Sequence, residues 1–166
     1  MPKKINSNKK GNAREHEVVK DLIKRFGKGF SRTIASGASA TNMYNHYSKS
    51  KEADIKKNTG DIITPDNFKF VIEAKHYKEF DFFSFWPGES LIDKWFNQVK
   101  LDAHRIDKRP LLLFKFNYKK KMGCIEYSFK NNLVEKKVKF VTINENYIIC
   151  TQTDLFRLHD NFFYEN

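Results

Sequence analysis

Apolar positions recur along this chain in two rhythms, and they divide it into helices and strands. Between residues 11 and 26, Val18, Val19, Leu22, Ile23 and Phe26 fall on one stripe at helical spacing, and Gly27 ends it. A second helical stripe, Ile92, Trp95, Phe96, Val99, Ala103 and Ile106, follows Ser90, a residue suited to cap it. Between them the rhythm changes to two. Phe68, Phe70, Ile72 and Ala74 share one face of a strand over 68–75, while Lys69, Val71, Glu73 and Lys75 share the other. The turn formers Thr64, Pro65, Asp66 and Asn67 fold Asp61, Ile62 and Ile63 back against that strand. A short strand begins at Phe30, and residues 111–116, LLLFKF, are apolar enough for a strand covered on both faces. Farther on, strands are predicted near 124–129, 138–143 and 147–152, with Asn144, Glu145 and Asn146 as a hairpin turn and a short helix from Thr153.

With 166 residues the chain has the length of one domain. Its 31 Lys and Arg against 20 Asp and Glu leave a net charge of +11, which points to a polyanionic partner, nucleic acid ahead of membrane. No apolar run approaches a membrane span and no signal peptide is expected, so membrane association is not. The cysteines, Cys124 and Cys150, lie in unrelated segments, form no metal-ligand spacing, and read as buried thiols in a reducing compartment. That compartment is expected to be the cytoplasm, of a bacterial or archaeal cell or of a virus-infected host. Residues 1–10, with Lys9 and Lys10 among four lysines, read as a mobile basic arm able to touch phosphates or simply to stay solvated.

Charge changes the picture most where it falls on these elements. At about 100° per residue the first helical stripe centres within roughly 15° of Glu15, whereas Glu17 points to the opposite side. A carboxylate on a buried face is costly unless it meets a cation or donors, although an acid near a helix N-terminus is also favoured by the macrodipole. The folded-back segment brings Asp61 close to Glu73, with Lys75 beside it. Two carboxylates converging near an ammonium suit a hard divalent cation and a water to be deprotonated. Asp54 is a rival for Asp61 but lacks the flanking strand pattern. In FSRTIASGASA, residues 30–40, Arg32 can bind a phosphate bidentately, and Ser36 and Ser39 can donate hydrogen bonds. Gln98 lies at the edge of the second helical stripe, able to reach the site, a phosphate or solvent. Lys115 either meets a phosphate backbone or snorkels. The aromatic run FDFFSFW, residues 80–86, suits core and lid packing, base stacking or a dimer surface.

The arrangement Asp61-x11-Glu73-x-Lys75 resembles the active-site motif of the PD-(D/E)xK nucleases. The order of elements does too, and more narrowly it resembles the archaeal-type Holliday-junction resolvases over residues 11–117. Gly11 stands four positions before Glu15 in GNAREHEVV, RTIASGAS supplies an arginine and a Ser-Gly turn, and a strand ending in Lys115-Phe116 follows the second helix. Gly60 stands where the family usually has proline. The resemblance implies an α/β fold with a restriction-endonuclease-like core, a central mixed β-sheet flanked by helices; the extra C-terminal β-strands read from the residues are a departure from it. The chain is thus expected to be one nuclease domain, 1–166, with the basic arm over 1–10, the PD-(D/E)xK core over 11–118 and a β extension over 119–166. It further implies Mg²⁺, with Mn²⁺ as substitute, held by Asp61, Glu73 and the carbonyl of Ala74, with Glu15 binding directly or through a water. Lys75 would orient and help deprotonate the attacking water, Ser36 would contact the scissile strand, and Arg32 an adjacent phosphate. The implied partner is branched DNA, a four-way junction nicked symmetrically by a homodimer. Two other readings stay open: a restriction or phage recombination nuclease of the same superfamily, and a DNA-binding protein without chemistry.

Overall fold

The structure is a computed structural model and describes residues 7–33, 59–79 and 90–165. Thirteen elements follow in order: α1 (Ser7–Phe26), β1 (Ser31–Arg32), β2 (Ile62–Ile63), β3 (Phe70–Tyr77), α2 (Leu91–Arg105), β4 (Arg109–Phe116), β5 (Met122–Glu126), a 3₁₀ turn (Tyr127–Phe129), α3 (Lys130–Glu135), β6 (Phe140–Ile143), β7 (Tyr147–Thr151), α4 (Gln152–Leu155) and α5 (Asp160–Phe163). The strands form one seven-stranded mixed sheet, ordered β1-β2-β3-β4-β5-β7-β6. Among the described residues only β3 and β4 run parallel, with α2 falling between them in the chain, and the other pairs are antiparallel. This is the expected α/β architecture, a restriction-endonuclease-like core of a mixed sheet flanked by helices, with the C-terminal strands continuing the same sheet.

Each face of the sheet carries its own core, because the two residue sets of every central strand point opposite ways. On one face Val18 and Leu22 of α1 pack with Phe70 and Ile72 of β3, Leu111 and Leu113 of β4, and Leu155 and Phe163 from the C-terminal helices. On the other, Ile92, Phe96 and Val99 of α2 cover Val71, Leu112, Phe114 and Tyr147. Residues 111–114 are buried completely, as a strand sandwiched between helical layers requires. Each such side chain contributes roughly 1.5–3 kcal/mol by leaving water. Ser90 caps α2 in a reciprocal capping box with Asp93, and Asp93 in turn accepts from the Tyr147 hydroxyl at 2.7 Å, tying the helix start to β7.

Several sequence expectations need correction. Helix α1 starts at Ser7, so residues 7–10 are helical and not part of a mobile arm. Lysine is a good helix former, and a first turn composed of Ser, Asn and Lys has no apolar period by which to recognise it. The buried side of α1 is also turned: Ile23 is 42% exposed, Arg14 is buried, and Glu17 does not face away but reaches Lys115 and Lys121. A stripe drawn from apolar residues alone misses a buried arginine whose charge is matched. The strand expected over 68–75 runs from Phe70 to Tyr77, and Phe68 makes a single bridge to Tyr164. The strand expected over 124–129 ends at Glu126, and α3 and α5 were not anticipated; at four to six residues each they are too short to show a helical period. Among the described residues no helix is long and apolar enough to cross a membrane.

Candidate active site

The site is built where β2 folds back on β3. Phe68 donates its N–H to the Pro65 carbonyl at 3.0 Å, closing the turn, and Ile62 pairs with Ile72. Gly60 has φ +78°, and a Cβ there would lie 2.8 Å from the Ile72 carbonyl oxygen and from Val71 Cγ1. Only glycine meets both conditions without strain, which gives the absence of proline a local reason. Asp61 is then locked on both sides: its N–H donates to Ile72 at 3.0 Å, and its carbonyl accepts from Thr33 at 3.0 Å. The Thr33 hydroxyl adds a bond to the Gly60 carbonyl at 2.9 Å.

From this platform the Asp61 carboxylate accepts the Ala74 N–H at 2.9 Å, between Glu73 and Lys75 on β3. Glu73 is 2% exposed. Its Oε1 accepts from the Lys75 ammonium and from Gln98 Nε2 of α2, the latter at 3.2 Å. Burial and the neighbouring Asp61 push the Glu73 carboxyl up to about 8. Burial also raises Asp61, with Glu15 adding to the rise against Lys75 and the Ala74 N–H. Burial works to lower Lys75, but Glu73, Asp61 and Glu15 overcome it and hold the ammonium charged. One ammonium thus serves more carboxylates than it can neutralise, and Glu73, the most deeply buried of them, is left short of charge.

Glu15 joins from α1. It is 6% exposed, and its Oε2 accepts from Arg32 Nε at 2.7 Å with Nη2 at 2.5 Å. Arg32 also donates to Asn12 Oδ1 at 3.0 Å and lies 3.2 Å from His16 Nε2, so it clamps the first turns of α1 to β1. Glu15, Asp61 and Glu73 therefore converge electrostatically from three elements, but their oxygens are turned to Arg32, Ala74 and Lys75. Among the described residues no three His, Cys, Asp or Glu side chains are gathered closely enough to hold a metal ion. The donor set fits a hard divalent cation by chemistry: it is all oxygen, and the buried Glu73 and half-buried Asp61 carboxylates, both held above their usual range, lack a positive charge that an ion would supply.

Among the described candidates, Lys115 falls outside this cluster. Lys115 lies 2.9 Å from Glu17, which also pairs with Arg14 and Lys121. Ser36, Ser39, Asp54, the FDFFSFW run and the side chains of Lys9 and Lys10 lie outside the described residues. Sequence reasoning missed Asp102, whose carboxyl is raised by burial and opposed by Arg105 and Lys75. Its signal was its place four residues after Gln98, on the same side of α2.

Asp61, Glu73 and Lys75 gathered within the sheet, with Glu15 of the first helix near enough to act on Asp61, define a nuclease of the PD-(D/E)xK kind. The chain belongs to the family described as "Phage putative PDDEXK endonuclease", whose profile matches residues 6–162. It is also similar to Protein D14 of Escherichia phage T5, at 30% identity over 117 residues, a match covering 67% of this chain and 65% of that protein. The chain thus spans just under two thirds of that relative's length. No solved structure gives a significant match. Nucleases of this superfamily generally use divalent metals such as Mg²⁺. The narrower likeness to archaeal-type Holliday-junction resolvases rests on the sequence motifs alone.

Proposed function

We propose that this protein is a Mg²⁺-dependent endodeoxyribonuclease that hydrolyses phosphodiester bonds in branched DNA. The observation that carries the reading is the Asp61, Glu73 and Lys75 grouping on β2 and β3, with Glu15 and Gln98 converging on it from helices on the two faces of the sheet. Asp61, Glu73 and the Ala74 carbonyl would hold the ion, with Glu15 completing the set directly or through a water once Arg32 turns to a phosphate. A divalent cation held there acidifies a coordinated water and offsets charge on the phosphate oxygens. Lys75, a charged donor beside both carboxylates, orients the attacking water and stabilises the negative charge that grows on the phosphate. Gln98 fixes the Glu73 carboxylate, and the deep setting of Glu73 keeps bulk water from the reacting atoms. Action as a two-fold dimer, each copy nicking one of two related strands, follows from the resolvase likeness, and the free buried thiols of Cys124 and Cys150 favour a reducing compartment such as the cytoplasm.

The test is incubation of purified protein with a synthetic four-way junction and with matched linear duplex, each in Mg²⁺ and in chelator. Paired nicks at the junction that need Mg²⁺ are expected. Glu73→Ala is expected to abolish them while leaving junction binding largely intact. Cleavage unchanged in that variant would remove the site assignment. Equal cleavage of linear duplex would favour a restriction or recombination nuclease over a junction-selective one, and binding without cleavage in any metal would favour a DNA-binding protein.

A further inference from the structure

We infer that the turn joining β4 to β5, residues 117–121, is a DNA-contacting element that stacks Tyr118 on an unpaired base beside the cleaved duplex. The inference rests on the nuclease reading and narrows its substrate to DNA whose branch point exposes unpaired bases.

Tyr118 is 104% exposed, so its ring contributes nothing to the core. Its φ is +59°, a conformation that turns usually assign to glycine or asparagine, since a bulky side chain there is strained. An aromatic ring at a position with backbone strain and no packing return is not explained by stability of the fold. Lys119 and Lys120 follow it, both exposed and neither in an ion pair among the described residues. Lys121, by contrast, is held by Asp21 at 2.7 Å and Glu17 at 3.2 Å. The turn therefore offers one free ring and two free ammonium groups side by side.

The tip is fixed relative to the acidic cluster. The Asn117 N–H donates to the Tyr77 carbonyl at 3.2 Å, and Lys119 closes the turn onto Phe116 at 3.2 Å. His76 Nε2 and Asn117 Oδ1 lie 2.8 Å apart. His76 and Tyr77 immediately follow Lys75, so the same strand that carries the site carries the anchor of the turn. In the parallel register Lys75 stands beside Phe114 and Tyr77 beside Phe116. Tyr118 is four residues beyond Phe114, at most about 13 Å along the strand direction at 3.3 Å per residue. That is about four nucleotide steps at 3.4 Å each. Between Tyr118 and the end of β3 lies an open recess of about 420 Å³, lined by Lys78, Glu79, Asn117, Tyr118 and Lys119.

Lysines suffice for a phosphate backbone, and a ring adds little there. A ring adds stacking on any base whose face is open, and bases inside a duplex have none to offer. The pairing of a free ring with free lysines at this distance from the site thus points to a duplex that opens into unpaired nucleotides.

The experiment places 2-aminopurine in the unpaired arm of a forked duplex and follows its fluorescence in chelator, so that no cleavage is required. Wild type is expected to quench the probe by stacking, Tyr118→Phe to quench it similarly, and Tyr118→Ala to leave it bright. Tyr118→Ala is expected to bind forked DNA roughly tenfold more weakly and paired duplex unchanged. Lys119→Ala with Lys120→Ala is expected to weaken both substrates alike and to reduce the salt slope by about 1.4–1.8. Quenching and forked-DNA affinity in Tyr118→Ala equal to wild type, or equal losses on forked and paired DNA, would overturn the inference. Nicking by wild type in Mg²⁺ is scored separately. Nicking without a Tyr118 effect sinks this inference alone, and a Tyr118 effect without nicking sinks the nuclease reading alone.

Discussion

Replacing Glu73 by glutamine should raise the stability of the metal-free protein while destroying its chemistry. Glu73 is 2% exposed and its carboxyl is pushed from 4.5 up to about 8 by burial and by Asp61. Because the folded value lies above the unfolded one, the fold binds the extra proton. The stability tied to Glu73 is fully present below pH 4.5 and is lost as pH rises through about 8. The full shift corresponds to a ceiling of about 5 kcal/mol. Lys75 and Asp61 share the same proton and charge, so we take roughly 2 kcal/mol as the contribution of this one carboxylate. Glutamine keeps an acceptor for Gln98 and Lys75 without the charge, and Lys75 retains Asp61 as counter-ion. Thermal unfolding in chelator should give equal midpoints near pH 5, and at pH 9 a midpoint for Glu73→Gln roughly 4–8 °C above wild type. Added Mg²⁺ should stabilise wild type and not the variant. A midpoint for the variant below wild type at pH 9 would refute the reasoning, because the ion pair with Lys75 would then outweigh the cost of burying the charge.

Glu17 should show the opposite pH dependence. Burial pushes its carboxyl up, but hydrogen bonds from Lys115, Arg14 and Lys121 outweigh that and hold it at about 2, so its contribution is present above pH 4.5 and is lost as pH falls toward 2. Glu17→Gln strands the buried Arg14, whose Nε has no partner among the described residues and whose other bond there is to Gln152 at 3.0 Å. The expected loss at pH 7 is roughly 2 kcal/mol, discounted from the 3–5 of a fully buried pair because Glu17 is partly exposed, and chemical denaturation measures it. Gly60→Ala forces a Cβ to within 2.8 Å of the Ile72 carbonyl at positive φ, so Asp61 must shift; nicking should fall at least tenfold, with a stability loss of about 1–3 kcal/mol by denaturant titration. Tyr147→Phe removes the 2.7 Å bond to Asp93 and should lower stability by about 1–2 kcal/mol with nicking nearly unchanged.

The local part of the site was legible in the sequence. Strand alternation put Glu73 and Lys75 on one side, the turn at 64–67 folded Asp61 back against them, and the helical stripe placed Glu15 at the buried face of α1. These follow from fixed periods of two and 3.6 residues and from turn chemistry, all of which act over a few positions. The edge glutamine, Gln98, was legible as a candidate, but its partner was not.

What the tertiary structure decided is which opposite charges meet. Arg32 reads in the sequence as a phosphate ligand, yet here it clasps Glu15; Lys115 reads as meeting a phosphate backbone or snorkelling, yet Glu17 of the first helix holds it. Arg14 lies in a helix that looks amphipathic without it, and becomes buried because Glu17 and Gln152, 138 residues away, satisfy its charge and donors. Such pairings depend on distances between elements far apart in the chain, which no local period encodes. The raised carboxyls of Asp61 and Glu73 have the same origin: the acids were visible one by one, but only the sheet and its covering helix remove the water that would otherwise have screened them.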